Sequence, residues 1–201
     1  MSRLTIAAAA GAIWLAASPV AAEPFRNFVD MCIETNLDRQ AAGAVAKAAG
    51  WVVLPAEAMG FEDDGILDPA AYSNIDPARI SDKAAVDQLE LLLTGWGSGE
   101  VAFDFPGVRM DICAVMAGSG DVETLTARVG EHLGLPRINL DGEELWVFSR
   151  EGATFRSEAA LMELDESELP RIAREKKLFV VGVIAEDDMI GLLMAAVRAD
   201  P

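Results

Sequence analysis

The sequence predicts an α+β fold, in which N-terminal helices are followed by an antiparallel sheet of hairpins and one strong helix packs on that sheet. Three observations lead to this prediction. Helical apolar spacing comes first in the chain, strand-like segments joined by turn signals dominate after residue 90, and the segment 121–134 carries a complete helix pattern. Helices followed by runs of strands indicate α+β organisation, because a parallel sheet requires regular βαβ alternation.

Two helices are predicted at the start of the mature chain. In "FRNFVDMCIET", Phe28 and Cys32 lie on one apolar stripe at helical spacing. The segment "LDRQAAGAVAKAAG" favours a second helix, with Asn36 or Asp38 as its N-cap and Gly50 just past its end.

The interval at about 55–80 has no sustained apolar period and is interrupted by Pro55, Pro69 and Pro77. We expect an irregular segment with at most one short helical turn. Long irregular loops inside compact domains are often functional. We therefore expect a ligand surface or an exposed apolar patch here.

Hairpins account for most of the remaining chain. "DKAAVDQLELLLTGW" begins as a helix, and its second half fits a helix or a strand. The "PG" turn signal at 106–107 and the strand-like "VRMDICAVMA" predict an antiparallel hairpin over 101–117. "EELWVFSRE" and "ATFRSEAALME" predict a second hairpin around Glu151 and Gly152.

The segment 121–134 gives the clearest helix signal. Apolar residues recur every three or four positions from Val122 to Leu133, Asp121 fits the N-cap, and Gly134 and Pro136 end the helix. A short charged helix is predicted in "DESELPRIAREKK", and a buried strand in "LFVVGVIA". The segment 189–198 fits a strand or a closing helix, and its hairpin-like spacing favours the strand.

The first 22 residues have the three parts of a secretory signal peptide: the basic Arg3, an apolar region without charge, and small residues before a cleavage site after Ala22. The apolar run is shorter than the roughly 20 residues that a membrane-spanning helix needs. Three carboxylates at 186–188 also argue against a span over 178–197. We expect a single exported domain over 23–201, located in the periplasm of a Gram-negative bacterium or secreted, with no stable membrane insertion after the signal is removed.

The charge balance narrows the choice of partners. Loss of Arg3 with the signal leaves 15 basic residues against 33 acidic ones, a net charge of −18. Such a charge repels nucleic acids and anionic membranes. It is compatible with solubility alone, with a basic protein partner, or with cation binding.

The two cysteines, Cys32 and Cys113, are too far apart in sequence for a Cys-x-x-Cys redox motif. A nucleophilic cysteine needs a histidine nearby as its base, and the chain has one histidine for two cysteines. In an oxidising compartment an even pair of cysteines most simply forms a bridge. We therefore predict a Cys32–Cys113 disulfide, with two buried free thiols as the alternative.

His132 is the only histidine, and a Ser-His-Asp hydrolase would have to use it as the base. No Gly-x-Ser-x-Gly nucleophile motif is present, and a single histidine disfavours a zinc site. We assign no catalytic residue, metal or cofactor. A hydrolase that uses carboxylates or His132 is kept as an alternative function.

Other motifs carry little weight. Gly95, Gly97 and Gly99 precede a strand-like segment, whereas a dinucleotide-binding loop needs a helix there. The acidic clusters at 61–65 and 140–144 fail the EF-hand spacing, although cation binding by the acidic clusters in another geometry stays open. The three tryptophans of the mature chain each adjoin an apolar run and are expected in the core.

These absences favour an exported binding or accessory protein over an enzyme. A third class, an acidic inhibitor or partner of a basic exported protein, fits the charge.

Overall fold

The computed structural model describes residues 23–55, 65–79, 83–98, 107–140, 143–163, 168–186 and 189–199. Within these ranges the strands are β1 (Val52–Leu54), β2 (Leu67–Ser73), β3 (Glu90–Ser98), β4 (Val108–Ala117), β5 (Ile138–Leu140), β6 (Glu143–Glu151), β7 (Thr154–Ser157), β8 (Leu178–Glu186) and β9 (Met189–Ala199). They form one antiparallel sheet in the order β1-β2-β3-β4-β9-β8-β6-β5, and β7 also pairs with β6. The predicted α+β fold is confirmed.

The helices are α1 (Pro24–Phe28), α2 (Arg39–Ala48), α3 (Lys83–Val86), α4 (Val122–Leu133) and α5 (Leu169–Glu175). The chain continues from α1 into a π-helix over Val29–Ile33, and 3-10 turns lie at Pro77–Arg79 and Ala159–Glu163. None of the helices described is long and apolar enough to cross a membrane.

Helix α4, the predicted strong helix, is bounded by the predicted caps. The Asp121 carboxylate accepts a hydrogen bond from the backbone N–H of Thr124 at 2.7 Å. Gly134 ends the helix with a φ of +64°, a left-handed conformation that glycine adopts without steric cost. Asp38 caps α2 in the same way, through the backbone N–H of Ala41.

The sheet is apolar on both faces. Helices α1, α2 and α4, with the π-helix, cover the first face, where the large buried side chains include Phe28, Trp146, Phe148 and Phe179. Helix α5 packs on the second face against residues of β4, β8 and β9. Since both faces are buried, β8 and β9 read in sequence as continuous apolar runs rather than as alternating strands.

Cys32 on the π-helix and Cys113 on β4 form a disulfide, with their Cα atoms 5.6 Å apart. The predicted bridge is therefore present. It joins the N-terminal helical layer to the middle of the sheet.

Two expectations need correction. The interval 55–80 is not irregular throughout, because it contains β2, whose pairing with β3 shifts register between Leu67 and Ala70. Pro69 lies inside that irregularity, and β1 does not pair with this part of β2. The missing N–H of proline therefore removes no hydrogen bond between strands. In the predicted hairpin over 101–117, residues 101–105 lie outside the described ranges, and β4 instead pairs with β3 and β9.

The segments whose type was open are settled where they are described. The second half of "DKAAVDQLELLLTGW" forms β3, and 189–198 lies within strand β9. The hairpin at Glu151 and Gly152 is formed by β6 and β7, although 159–163 leaves the sheet as a 3-10 turn.

Candidate functional site

An apolar groove crosses the second face of the sheet beyond the area that α5 covers. A row of three residues at one register level forms its floor: Leu93 on β3 lies opposite Ala114 on β4, and Ala114 lies opposite Leu193 on β9. The small Ala114 stands between two leucines, which leaves a depression in the sheet surface. The remaining lining residues are Ile66, Thr94, Gly95, Ile112, Met116 and Ile184.

The groove has the size of one apolar side chain. Its volume is about 180 Å³, whereas pockets for drug-sized ligands measure roughly 300–1,000 Å³. An apolar cavity of about 150 Å³ accommodates a benzene ring. The groove is therefore large enough for a phenylalanine or leucine side chain.

A second cavity adjoins the groove and shares Ile184 and Leu193 with it. This cavity, of about 340 Å³, is also lined by Glu143 and Glu144 at the start of β6. The Glu144 carboxylate pairs with Arg137, and both glutamates are exposed. The groove is thus apolar at its floor, and the cavity next to it carries the Glu143 carboxylate and the Glu144–Arg137 ion pair.

A charged cluster lies on the opposite face, where β3 ends and β4 begins. Asp111 lies 2.7 Å from Arg109 and 3.2 Å from Arg198, and the Arg109 guanidinium stacks on the ring of Trp96 at 4.7 Å. Partial burial is the largest cause that lowers the pKa of Lys177, and the positive charge of the nearby Arg198 acts in the same direction. Asp111 is shared by Arg109 and Arg198, and Lys177 lies nearby, so the groups named here carry more positive than negative charge. Trp96 is only half-buried in it, contrary to the expectation that all three tryptophans lie in the core.

Glu90 is the one acidic side chain that is fully buried among the described residues, at 1% exposure. Its carboxylate accepts a hydrogen bond from the side-chain amide of Asn27 at 2.5 Å. Burial raises the pKa of Glu90 above its usual value of 4.5, although hydrogen bonds from Asn27 and from the backbone of Glu23 act in the opposite direction. In sequence Glu90 lies beside the run "LLL", and its alternation with Leu92 was the only sign that it faces the helices.

His132 is not part of a catalytic constellation in the described structure. It is exposed near the end of α4, between the rings of Phe25 and Phe155 at centroid distances of 5.9 and 5.8 Å. Within the described ranges no hydroxyl or carboxylate hydrogen-bonds to its imidazole. A hydrolase that uses His132 as its base has no support from this geometry.

The acidic clusters are only partly described. Residues 61–64, Asp141 and 187–188 lie outside the described ranges, and the remaining residues include no group of three or more potential metal ligands. Gly95 and Gly97 lie within β3, as expected for a strand rather than a dinucleotide-binding loop. Gly99 lies outside the described ranges.

The interval 55–80 contributes Ile66 to the groove. The other lining residues come from two pairs of consecutive strands, β3 with β4 and β8 with β9, and the two pairs are distant in sequence. The alternation of each strand indicated a buried face but not which faces meet. Trp146 shows a further feature that the sequence did not reveal: its indole Nε1 is buried without a hydrogen-bond partner among the described residues.

No protein-family model matches the chain, and no curated protein or solved structure matches it significantly. Function is therefore inferred from the side chains of the site and from the charge and sequence pattern of the chain.

Proposed function

We propose that the protein is an exported, periplasmic binding protein whose groove receives one apolar side chain of a basic exported polypeptide. The observation that carries this proposal is the groove itself, which is apolar, open to one side and sized for a single large side chain. Partners often anchor one aromatic or aliphatic residue in such a pocket and surround it with weaker contacts.

The charge of the chain selects a basic partner. The net charge is −17 before the signal is removed, and Glu143 and Glu144 line the cavity next to the groove. A cationic segment is attracted to this surface, and electrostatic complementarity raises both specificity and the rate of association. An apolar side chain flanked by lysine or arginine therefore matches the groove and the glutamates of the cavity next to it.

Export is supported by two features. The first 22 residues have the pattern of a cleavable signal, and the Cys32–Cys113 disulfide is typical of proteins that fold in an oxidising compartment.

Binding is tested with three labelled peptides by fluorescence anisotropy: Lys-Lys-Phe-Lys-Lys, the same peptide with alanine for phenylalanine, and Glu-Glu-Phe-Glu-Glu. Burial of one phenylalanine side chain contributes about 1.5–3 kcal/mol, so the first peptide should bind about tenfold to a hundredfold more tightly than the second. The acidic peptide should not bind. Equal affinity for the phenylalanine and alanine peptides would show that the groove is not used.

The matched variants are Leu193→Gln in the groove and Ile138→Gln on β5. Both residues are partly buried, and Ile138 packs against the α5 cluster outside the groove. Leu193→Gln should reduce the affinity for the phenylalanine peptide about tenfold, whereas Ile138→Gln should leave it unchanged. Equal loss in the two variants would indicate a general loss of structure, and no loss in Leu193→Gln would remove the groove from the binding site.

A further inference from the structure

Glu90 lies at the point where the mature chain is predicted to begin. Its carboxylate accepts a hydrogen bond from Asn27 in the first turn of α1. A backbone hydrogen bond from Glu23, the residue directly before α1, also lowers the pKa of this carboxylate, which places the start of α1 beside it. Glu23 is the residue that follows the predicted cleavage site after Ala22.

Glu23 is held in place by contacts on a second side. Its carboxylate lies 3.8 Å from the guanidinium of Arg128 on α4. The same guanidinium stacks over the ring of Phe25 at 4.5 Å, and the backbone N–H of Asn27 donates to the carbonyl oxygen of Glu23 at 3.1 Å. These contacts hold Glu23 at the start of α1, one helical turn from the Asn27 side chain that donates to Glu90.

We propose that Glu90 and Asn27 form a binding site for a primary ammonium, and that its occupant is the N-terminus which signal cleavage creates on Glu23. Hydrolysis of the Ala22–Glu23 peptide bond by signal peptidase consumes one water, leaves a carboxylate on Ala22 and leaves an ammonium on Glu23. The neutral N–H···O hydrogen bond to Glu90 thereby becomes a charged N–H···O pair. The proposal depends on the predicted cleavage site and not on the peptide-binding function.

An ion pair between the Glu23 ammonium and the Glu90 carboxylate explains why the fold tolerates a buried carboxylate. A carboxylate that is almost fully buried destabilises a protein unless a charged partner and hydrogen bonds compensate. Asn27 is neutral, and the side chain of Glu23 repels Glu90. An ammonium at the start of α1 also opposes the helix dipole, so each charge lacks a stabilising environment without the other.

The site predicts a raised pKa for the N-terminal amine. An unperturbed α-amino group has a pKa of about 7.7–8.0. In the chain that begins at Glu23 we expect a value at least about one unit higher, measured by NMR titration of the amine after ¹³C reductive methylation. A chain that begins one residue earlier, at Ala22, places its ammonium outside the site and should show the ordinary value.

Stability should follow the same pattern. Because the folded state holds the proton more tightly, the extra stability of the Glu23 chain over the Ala22 chain should be fully present at pH 7. It should be lost as the pH rises through the folded pKa of the amine. One pKa unit corresponds to about a tenfold difference in the folding equilibrium constant. Glu90→Gln should remove this difference, and the exposed Glu131→Gln on α4 serves as the control.

Three results would overturn the proposal. The first is an ordinary amine pKa in the Glu23 chain. The second is equal stability of the Glu23 and Ala22 chains at pH 7, a comparison that remains informative if Glu90→Gln fails to fold. The third is an N-terminus other than Glu23 in the exported protein, determined by N-terminal sequencing. None of these results bears on whether the groove binds the phenylalanine peptide.

Discussion

At the scale of single residues, a charged side chain contributes to the stability of this fold when it is partly buried and also paired with a partner. Most ion pairs of the described residues lie on the surface, as between Arg26 and Asp30 or Arg156 and Glu151. Exposed pairs of this kind contribute little to stability. Glu158 differs, because its side chain is mostly buried and accepts hydrogen bonds from both Lys176 and Ser149 at 2.8 Å.

Glu158 gives a prediction with a defined pH dependence. Burial alone would raise its pKa, but the hydrogen bonds from Lys176 and Ser149 outweigh burial, so the pKa lies below its usual value of 4.5. A carboxylate with a lowered pKa stabilises the fold above its unfolded pKa, and the stabilisation is lost as the pH falls through the folded value. Glu158→Gln should therefore lower the free energy of unfolding at pH 7 by about 1 kcal/mol.

The measurement is urea unfolding of wild type and variant between pH 3 and pH 7. The difference between the two proteins should shrink as the pH falls below the folded pKa of Glu158. The exposed Glu151→Gln is the matched control and should change stability little. A loss in Glu158→Gln that stays constant over this pH range would contradict the assignment.

At the scale of elements, the disulfide ties two layers that pack on each other. It joins the π-helix after α1 to β4, which lies in the middle of the sheet. The two cysteines are 81 residues apart, so the bridge closes a long loop in the unfolded chain. By the chain-entropy estimate this constraint stabilises the fold by about 4–5 kcal/mol.

Reduction should therefore lower the free energy of unfolding by about 4–5 kcal/mol at most, because residual structure in the unfolded chain reduces the gain. The comparison is urea unfolding with and without reductant. Mass spectrometry after thiol labelling provides the control: neither cysteine should be labelled before reduction, and both should be labelled after it. Labelling of both cysteines in the untreated protein would refute the bridge.

Elements with local signals were predictable from the sequence. The caps of α4, Asp121 and Gly134, and the apolar run of β8 define their elements without help from the rest of the chain. Strand β2 was missed because Pro69 disfavours a strand, and the register shift that accommodates it depends on pairing with β3. Local pattern carries no information on such a pairing.

The groove was not predictable for a related reason. Its floor requires Leu93, Ala114 and Leu193 at one register level, and Leu193 is far from Ala114 in sequence. Alternation indicated that each strand has a buried face. It did not show that α5 covers only part of the second face, which is the condition that leaves the groove open.

At the scale of the whole molecule, the proposed function combines the strong negative charge of the chain with a small apolar groove. The charge attracts basic segments over a distance of about 10 Å at 0.1 M salt, whereas the groove acts only on contact. The affinity for the Lys-Lys-Phe-Lys-Lys peptide should fall as salt rises. Its advantage over the alanine peptide should persist, because burial of an apolar side chain is insensitive to ionic screening.

The most direct test of the groove as the binding site is methyl NMR of the mature protein titrated with the Lys-Lys-Phe-Lys-Lys peptide. The aromatic ring should shift the methyl resonances of Leu93, Ile112, Ile184 and Leu193, and leave those of Ile138 unchanged. Shifts confined to methyl groups outside the groove, or none at a peptide concentration that saturates the anisotropy signal, would contradict the proposed site.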